Sequence, residues 1–266
     1  MAKITLPDGT VLEVGDGTTA GQLAQQIGPG LAKAAVAARI DGKLVDLSTP
    51  LNGEISIEIV TGKDDEGLEV MRHSCAHVMA EAICSIWPET KLVYGPTVED
   101  GFYYDVDLDE PIRPDDFERI EQKMAEIVKT GKPFVRKEMS KAEAIEKLAG
   151  DKYKTDNVSH ADSDTISFYS QGDGFEDLCR GPHVPGTDKV GSFKIMSVAG
   201  AYWHGDPTQK MLQRVYGTTW PGKKDLDAHL QRLEEAKKRD HRVLGCLLYT
   251  SPSPRDLSTS RMPSSA

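Results

Sequence analysis

Two short clusters in this sequence hold side chains that do chemistry. His73-Ser74-Cys75-Ala76-His77 sets two imidazoles four residues apart, which a helix turns to one face. Such a pair can ligate a metal, bind an anion or move protons, although paired histidines at this spacing often only line a groove. Asp177-Leu178-Cys179-Arg180-Gly181-Pro182-His183 is denser: it offers a carboxylate, a thiol, a guanidinium and an imidazole around a Gly-Pro pair that forces a tight loop. Cys179 and His183 with His73 and His77 would make a three-histidine, one-cysteine metal set. The same groups could instead hold a water and a polar substrate without metal, and spacing does not decide between the two. Two such clusters point to a site more than to a structural loop around a buried cysteine. Cys75 and Cys84 read as packing residues. Lys152-Tyr153-Lys154 read, on composition, as surface.

The elements that must carry these residues are legible in outline. A hairpin is expected around Pro7-Asp8-Gly9-Thr10, then a short helix capped by Thr18 or Thr19 and ended by Gly28-Pro29-Gly30. Strand-like runs follow at 36–40 and 55–60, the second alternating apolar and polar residues. This first piece has no histidine, no cysteine and no phosphate-binding loop, so nothing in it looks catalytic. Residues 61–67 are polar and aperiodic and form the best linker candidate. Beyond them a helix is expected over 68–87, stopped by Pro88, then a strand at 102–106. Asp115 or Asp116 should cap an amphipathic helix reaching Gly131, and Ser140-Lys141-Ala142-Glu143 matches a capping box. Two aromatic, Gly-rich runs at 200–206 and 211–220 read as a strand pair with Trp203, Tyr216 and Trp220 in the core. The chain is expected to be α+β.

Composition bounds the rest. Across 266 residues, 32 Lys+Arg against 42 Asp+Glu give a formal charge of −10, which argues against a surface that grips nucleic acid everywhere and leaves room for a local basic track. No apolar run approaches the ~18 residues of a membrane span, and the first nine residues have no secretory apolar stretch. Four cysteines at irregular spacing suit a reducing, cytoplasmic setting rather than a disulfide framework. Residues 222–245 read as a charged helix. Residues 246–266 are Ser/Pro-rich, match nothing upstream, and are expected to be non-native, disordered read-through; without them the charge is −11.

Taken together, the two chemical clusters, Gly200-Ala201-Tyr202-Trp203 and Met211-Leu212-Gln213-Arg214 resemble, in order and spacing, the N-terminal half of bacterial threonyl-tRNA synthetases. The resemblance covers residues 1–245. It implies a ubiquitin-like β-grasp (TGS) domain at 1–62, an α+β editing domain of the threonyl/alanyl type at 63–221, and a connector helix at 222–245 leading to a class II core that this segment does not include. It also implies a second sieve that hydrolyses the seryl ester of mischarged Ser-tRNA(Thr). Serine lacks one methyl of threonine, and a missing methylene is worth only ~1–3 kcal/mol of discrimination.

By the same resemblance His73, His77, Lys154, Cys179 and His183 are the catalytic set, and Asp177 binds the substrate ammonium. Lys154 and His73 would position water and the ribose hydroxyl. His77, Cys179 and His183 would shape the pocket. Related alanyl-type domains use a similar set for zinc, but no metal or other cofactor is expected here; ATP, magnesium and zinc belong to the absent core, so the segment should not activate threonine. The expected partner is tRNA(Thr) at its seryl-charged 3′ end, with no membrane. The parent enzyme is expected to be a cytoplasmic homodimer and the fragment a monomer. Two rival readings are a non-catalytic tRNA-binding module and a free-standing alanyl-type zinc hydrolase.

Overall fold

The alternating pattern of the first sixty residues folds into a five-stranded sheet. In the computed structural model, which describes residues 1–239, β1 (Ala2–Thr5) and β2 (Val11–Val14) pair around the expected turn, where the Asp8 carboxylate accepts the Thr10 N–H at 2.8 Å. Thr19 and Gln22 cap α1 (Ala20–Ile27) reciprocally, and Gly28 ends it. Pro29 then opens a second short helix, α2 (Pro29–Ala34); a first-turn proline costs a helix nothing, because its missing N–H would have had no partner. With β3 (Ala35–Ile40), β4 (Lys43–Val45) and β5 (Glu54–Thr61) the sheet order is β2-β1-β5-β3-β4. Ile4, Leu23, Leu51 and Ile57 fill its core.

The next helix starts almost at once. The expected linker is a tight turn: β5 ends at Thr61 and α3 (Asp65–Ile86) begins three residues earlier than the sequence suggests. The Asp64 carboxylate accepts both the Thr61 N–H (2.7 Å) and its hydroxyl (2.9 Å), and Arg39 on β3 pairs with Glu58 and with Glu66 on the new helix. A Cβ on Gly67 would sit 1.9 Å from the Thr61 carbonyl oxygen. Every residue of α3 from Ser74 to Ile83 is buried, so this helix is a central rod rather than a surface element.

Around that rod the chain adds β6 (Lys91–Tyr94), β7 (Thr97–Val98), β8 (Gly101–Asp107), α4 (Phe117–Thr130), β9 (Phe134–Ser140), α5 (Lys141–Lys147), α6 (Lys152–Ser159), β10 (Thr165–Gln171) and β11 (Phe175–Leu178). A long hairpin, β12 (Ser192–Tyr202) and β13 (Met211–Trp220), completes a second sheet in the order β12-β13-β8-β6, with β7 also on β8; a third has the order β11-β10-β9. The Ser140–Glu143 capping box forms as expected. Asp116 stands at the start of α4, but its carboxylate accepts the Arg113 N–H instead of a helix amide. The aromatics expected in the core are only half buried: Trp203 stacks edge-on against Tyr153, Arg72 lies over Trp220, and Tyr216 tilts against Tyr103.

Residues 1–223 form one unit, and α7 (Lys223–Lys238) leads the second. The remainder of the expected connector past 239, and the 246–266 tail, lie outside the described residues. No helix among those described is long and apolar enough to cross a membrane. The turn into α3 yields a prediction. Gly67→Ala should destabilise the protein by about 1–3 kcal/mol, as overpacking does, because the atom it meets is backbone; denaturant unfolding against wild type checks this.

Candidate functional site

α3 delivers His73 and His77 to one side of the rod, with ring centroids 5.4 Å apart. The loop leaving β11 delivers Cys179 and His183 to meet them. Cys179 Sγ lies 3.0 Å from His73 Nε2 and 3.2 Å from His183 Nε2, and it accepts the Gly181 N–H at 3.2 Å. The loop can turn this sharply because Gly181 adopts a left-handed conformation (φ +68°), and a Cβ there would lie 2.0 Å from the Tyr169 hydroxyl.

The tautomer of His183 follows from its neighbours. The Ser74 hydroxyl donates its only proton to the Val70 carbonyl (2.8 Å), and its oxygen accepts the Val184 N–H (3.0 Å). The 3.0 Å contact between Ser74 Oγ and His183 Nδ1 therefore needs the proton on the ring. His183 is then protonated at Nδ1, and its Nε2 lone pair faces Cys179. Phe134 stacks flat on the same ring at 4.7 Å. His77 is buried, and its Nδ1 has no partner.

Burial sets the protonation of the whole cluster. It pulls His73 down to about 4 and His77 to about 3, moves His183 well below the ordinary imidazole range, and pushes the Cys179 thiol up to about 12. At neutral pH the four groups are uncharged, and hydrogen-bonding contacts join Cys179 to His73 and His183. Their donor atoms all lie within 4.8 Å of one another, and the two Cys179 contacts at 3.0 and 3.2 Å approach the edge of roughly 3.5 Å in a tetrahedral zinc site. The residues fit such an ion. All four positions would then be protein ligands, the pattern of a structural metal site rather than one with a position open for water.

Charge enters from the other side. Asp177, on β11, is almost fully buried, and Lys154 Nζ sits 2.5 Å from its Oδ1. The same oxygen accepts the Leu178 N–H at 2.7 Å. The Tyr104 hydroxyl, from β8, donates to Oδ2, and Lys154 Nζ donates to that hydroxyl at 3.3 Å. Burial alone would raise the Asp177 carboxyl, but the Lys154 ammonium, with His77 and the hydrogen bonds, outweighs it and holds the group below the usual range. Burial, with Asp177 alongside, pushes the Tyr104 phenol well up, so it stays a donor.

Lys154 is not a surface lysine. It lies on α6, where the Asp151 carboxylate caps Tyr153 N and Lys154 N at 3.1 Å each, and Tyr153 anchors the helix through a 2.6 Å bond to Asp107. Lys154 and Asp177 line a cleft of about 360 Å³ together with Lys91, Lys147, Phe168 and Phe175. The four-donor cluster is not among its lining residues: His77, Cys179 and His183 are buried, and His73, at the cluster's edge, is half-buried.

All six residues singled out from sequence thus converge. Two contributors were missed there. Tyr104 lies in an aromatic strand, β8, that is buried almost throughout, so its position marks it only as inward-facing. Asp46, just after β4, accepts the His183 N–H at 2.8 Å and the Tyr169 hydroxyl at 2.7 Å, and nothing in its own sequence signals that reach. Cys84, read as packing, lines the cleft.

Comparison with known proteins gives two family matches: the TGS domain over residues 2–61, and the threonyl and alanyl tRNA synthetase second additional domain over residues 166–216. Asp177, Cys179 and His183 fall in the second; His73, Tyr104 and Lys154 precede it. The chain is similar to the threonine–tRNA ligase of Desulfatibacillum aliphaticivorans (53% identical over 249 residues) and of Pelobacter propionicus (50% over 245), and to threonine–tRNA ligase 1 of Bacillus subtilis (50% over 248). These alignments cover 91–93% of this chain and 38–39% of each relative. The chain thus spans about two fifths of the length of these relatives.

The neutral histidines make an acid-sensitive fold. A histidine whose folded value is depressed below its unfolded one stabilises the fold fully above about pH 6.5. That stability drains as pH falls toward about 4 for His73 and about 3 for His77. Each group contributes up to about 1.4 kcal/mol per pH unit in that window. In chelator-treated protein, urea midpoints measured from pH 7 to 4 should fall with this slope, and His77→Gln should flatten it.

Proposed function

From its match to the N-terminal part of threonine–tRNA ligases, we propose that this chain carries an editing site that hydrolyses the seryl ester of mischarged Ser-tRNA(Thr). The observation that carries the reading is the Lys154–Asp177–Tyr104 group opening on a cleft, backed by an uncharged histidine and cysteine wall. An aminoacyl ester brings an ammonium, a carbonyl that develops negative charge, and a ribose hydroxyl. This group supplies an anion, a cation and a proton donor for them.

The substrate ammonium takes up the Asp177 carboxylate and so competes with Lys154. Freed from that carboxylate, the Lys154 ammonium turns to the ester carbonyl oxygen. Water adds to the carbonyl carbon and gives up a proton, the bond to the ribose oxygen breaks, and that oxygen takes the proton up to leave free serine and a ribose hydroxyl. His73, at the edge of the cluster, positions the water and the ribose hydroxyl, and the substrate's own hydroxyl assists proton transfer. His77, Cys179 and His183 shape the wall behind. The unpartnered Nδ1 of His77 is a spare hydrogen-bonding atom for water or substrate.

Hydrolysis on this reading is metal-free. A zinc held by His73, His77, Cys179 and His183 would supply charge and lock the loop, but with four protein ligands it would have no open position for water. The parent protein would attach threonine to tRNA(Thr) with ATP, as a cytoplasmic homodimer with magnesium and zinc in its catalytic core, and this fragment would be monomeric.

The test is deacylation by the chain itself. Ser-tRNA(Thr) should be hydrolysed well above the buffer blank, with Thr-tRNA(Thr) spared by roughly tenfold or more. His73→Ala and Lys154→Ala should each lose about 100-fold or more. Tyr104→Phe, which removes one donor, should lose about tenfold while the protein stays folded. Folded protein without activity on either ester sinks the proposal in favour of a binding module. Stoichiometric zinc in chelator-washed protein, with activity lost on its removal, overturns the metal-free route.

A further inference from the structure

The editing loop is held in place partly by a residue from the other end of the chain. Asp46 follows β4 in the TGS domain and is only 8% exposed. It is a rigid peg: Val45 before it pairs with Ala38, and Leu47 after it is buried in the first core and accepts the Gly21 N–H at 2.8 Å. No salt bridge to Asp46 forms among the described residues. Its oxygens are divided instead between two parts of the site. Oδ1 accepts the backbone N–H of His183 at 2.8 Å, and Oδ2 accepts the Tyr169 hydroxyl at 2.7 Å.

Both targets bear on the reacting groups. Tyr169 pairs in register with Asp177 across β10 and β11. Its hydroxyl fills the space beside Gly181 where a side chain would clash, and its ring packs 4.5 Å from that of His183. His183 is thereby fixed at its backbone by Asp46, at Nδ1 by Ser74 and on its face by Phe134.

A buried carboxylate without a cation is costly, and the TGS domain is already joined to the rest by Val36 and Val60 in the central core and by the Arg39–Glu66 pair. Docking alone does not call for an anion here. We propose that Asp46 is a positioning residue for the editing site: through His183 and Tyr169 it sets the conformation of the loop 179–183, so that editing depends on a side chain of the TGS domain. This rests on the editing reading above, and it adds a cross-domain support to that site.

The test compares Asp46→Asn, Asp46→Ala and Tyr169→Phe in the full chain. The asparagine keeps the size and one good acceptor, so it guards against simple misfolding. Per folded molecule, Asp46→Asn should lower kcat for Ser-tRNA(Thr) deacylation about tenfold, with KM changed less than twofold; Asp46→Ala should lower kcat further, by up to about a hundredfold, as small misplacements of catalytic groups do. Tyr169→Phe should show a smaller loss of the same kind.

Imidazole ¹⁵N shifts supply an arm that needs no activity. Those of His183 should move in Asp46→Asn, while those of exposed His160 stay fixed. Unchanged His183 shifts overturn the proposal, as does an unchanged kcat in folded Asp46→Asn whose only defect is a lowered Tm. If wild-type protein does not deacylate at all, the editing reading fails, and the shifts alone still decide whether Asp46 governs His183.

Discussion

A carboxylate buried as deeply as Asp177 must be compensated, and much of the site's architecture answers that demand. Removing one partner of a buried ion pair typically costs about 3–5 kcal/mol. Three elements therefore have to arrive at one point: β11 with Asp177 itself, α6 with Lys154, and β8 with Tyr104. α6 is eight residues long, too short to be stable in isolation. It persists because Asp151 caps it, Tyr153 ties it to Asp107, and Lys154 is held by the anion.

That dependence explains what could be read in advance. His73 and His77 stand out because a 3.6-residue period puts them on one face, and the loop 177–183 stands out because so many reactive groups crowd one turn. Lys154 became visible only through family resemblance: within a helix of two turns there is too little periodicity to tell an inward lysine from an outward one. Tyr104 sits among three aromatics in a strand buried on both sides, where inward is the default. Trp203, Tyr216 and Trp220 are shallower than the sequence suggests, since a half-buried aromatic in a strand has the same neighbours in sequence as a fully buried one. The helix end at Ile27 is legible from Gly28-Pro29-Gly30, but the short helix that Pro29 opens is not, because a proline after a helix end and one at a helix start look alike in sequence.

The site divides into a charged front and an uncharged back. Lys154 and Asp177 face the cleft, while His73, His77, Cys179 and His183 form a wall behind it, neutralised by burial. A wall without charge would attract no second ammonium in the proposed reaction and would compete for none of the substrate's ions. Asp177 faces the cleft beside Lys154, with Asp151 and Glu176 also on its lining. On the proposed editing reading, selection against one extra methyl falls to the dimensions of the pocket and not to its electrostatics.

The close contact of Gly67 with Thr61 bears on how such a molecule can be inherited. With no slack between the first sheet and the central helix, a residue inserted or lost in residues 61–67 would swing Asp46 away from the loop it supports. The joint that looks most like a natural seam for exchanging modules is therefore a poor place for recombination, and the two halves should descend together.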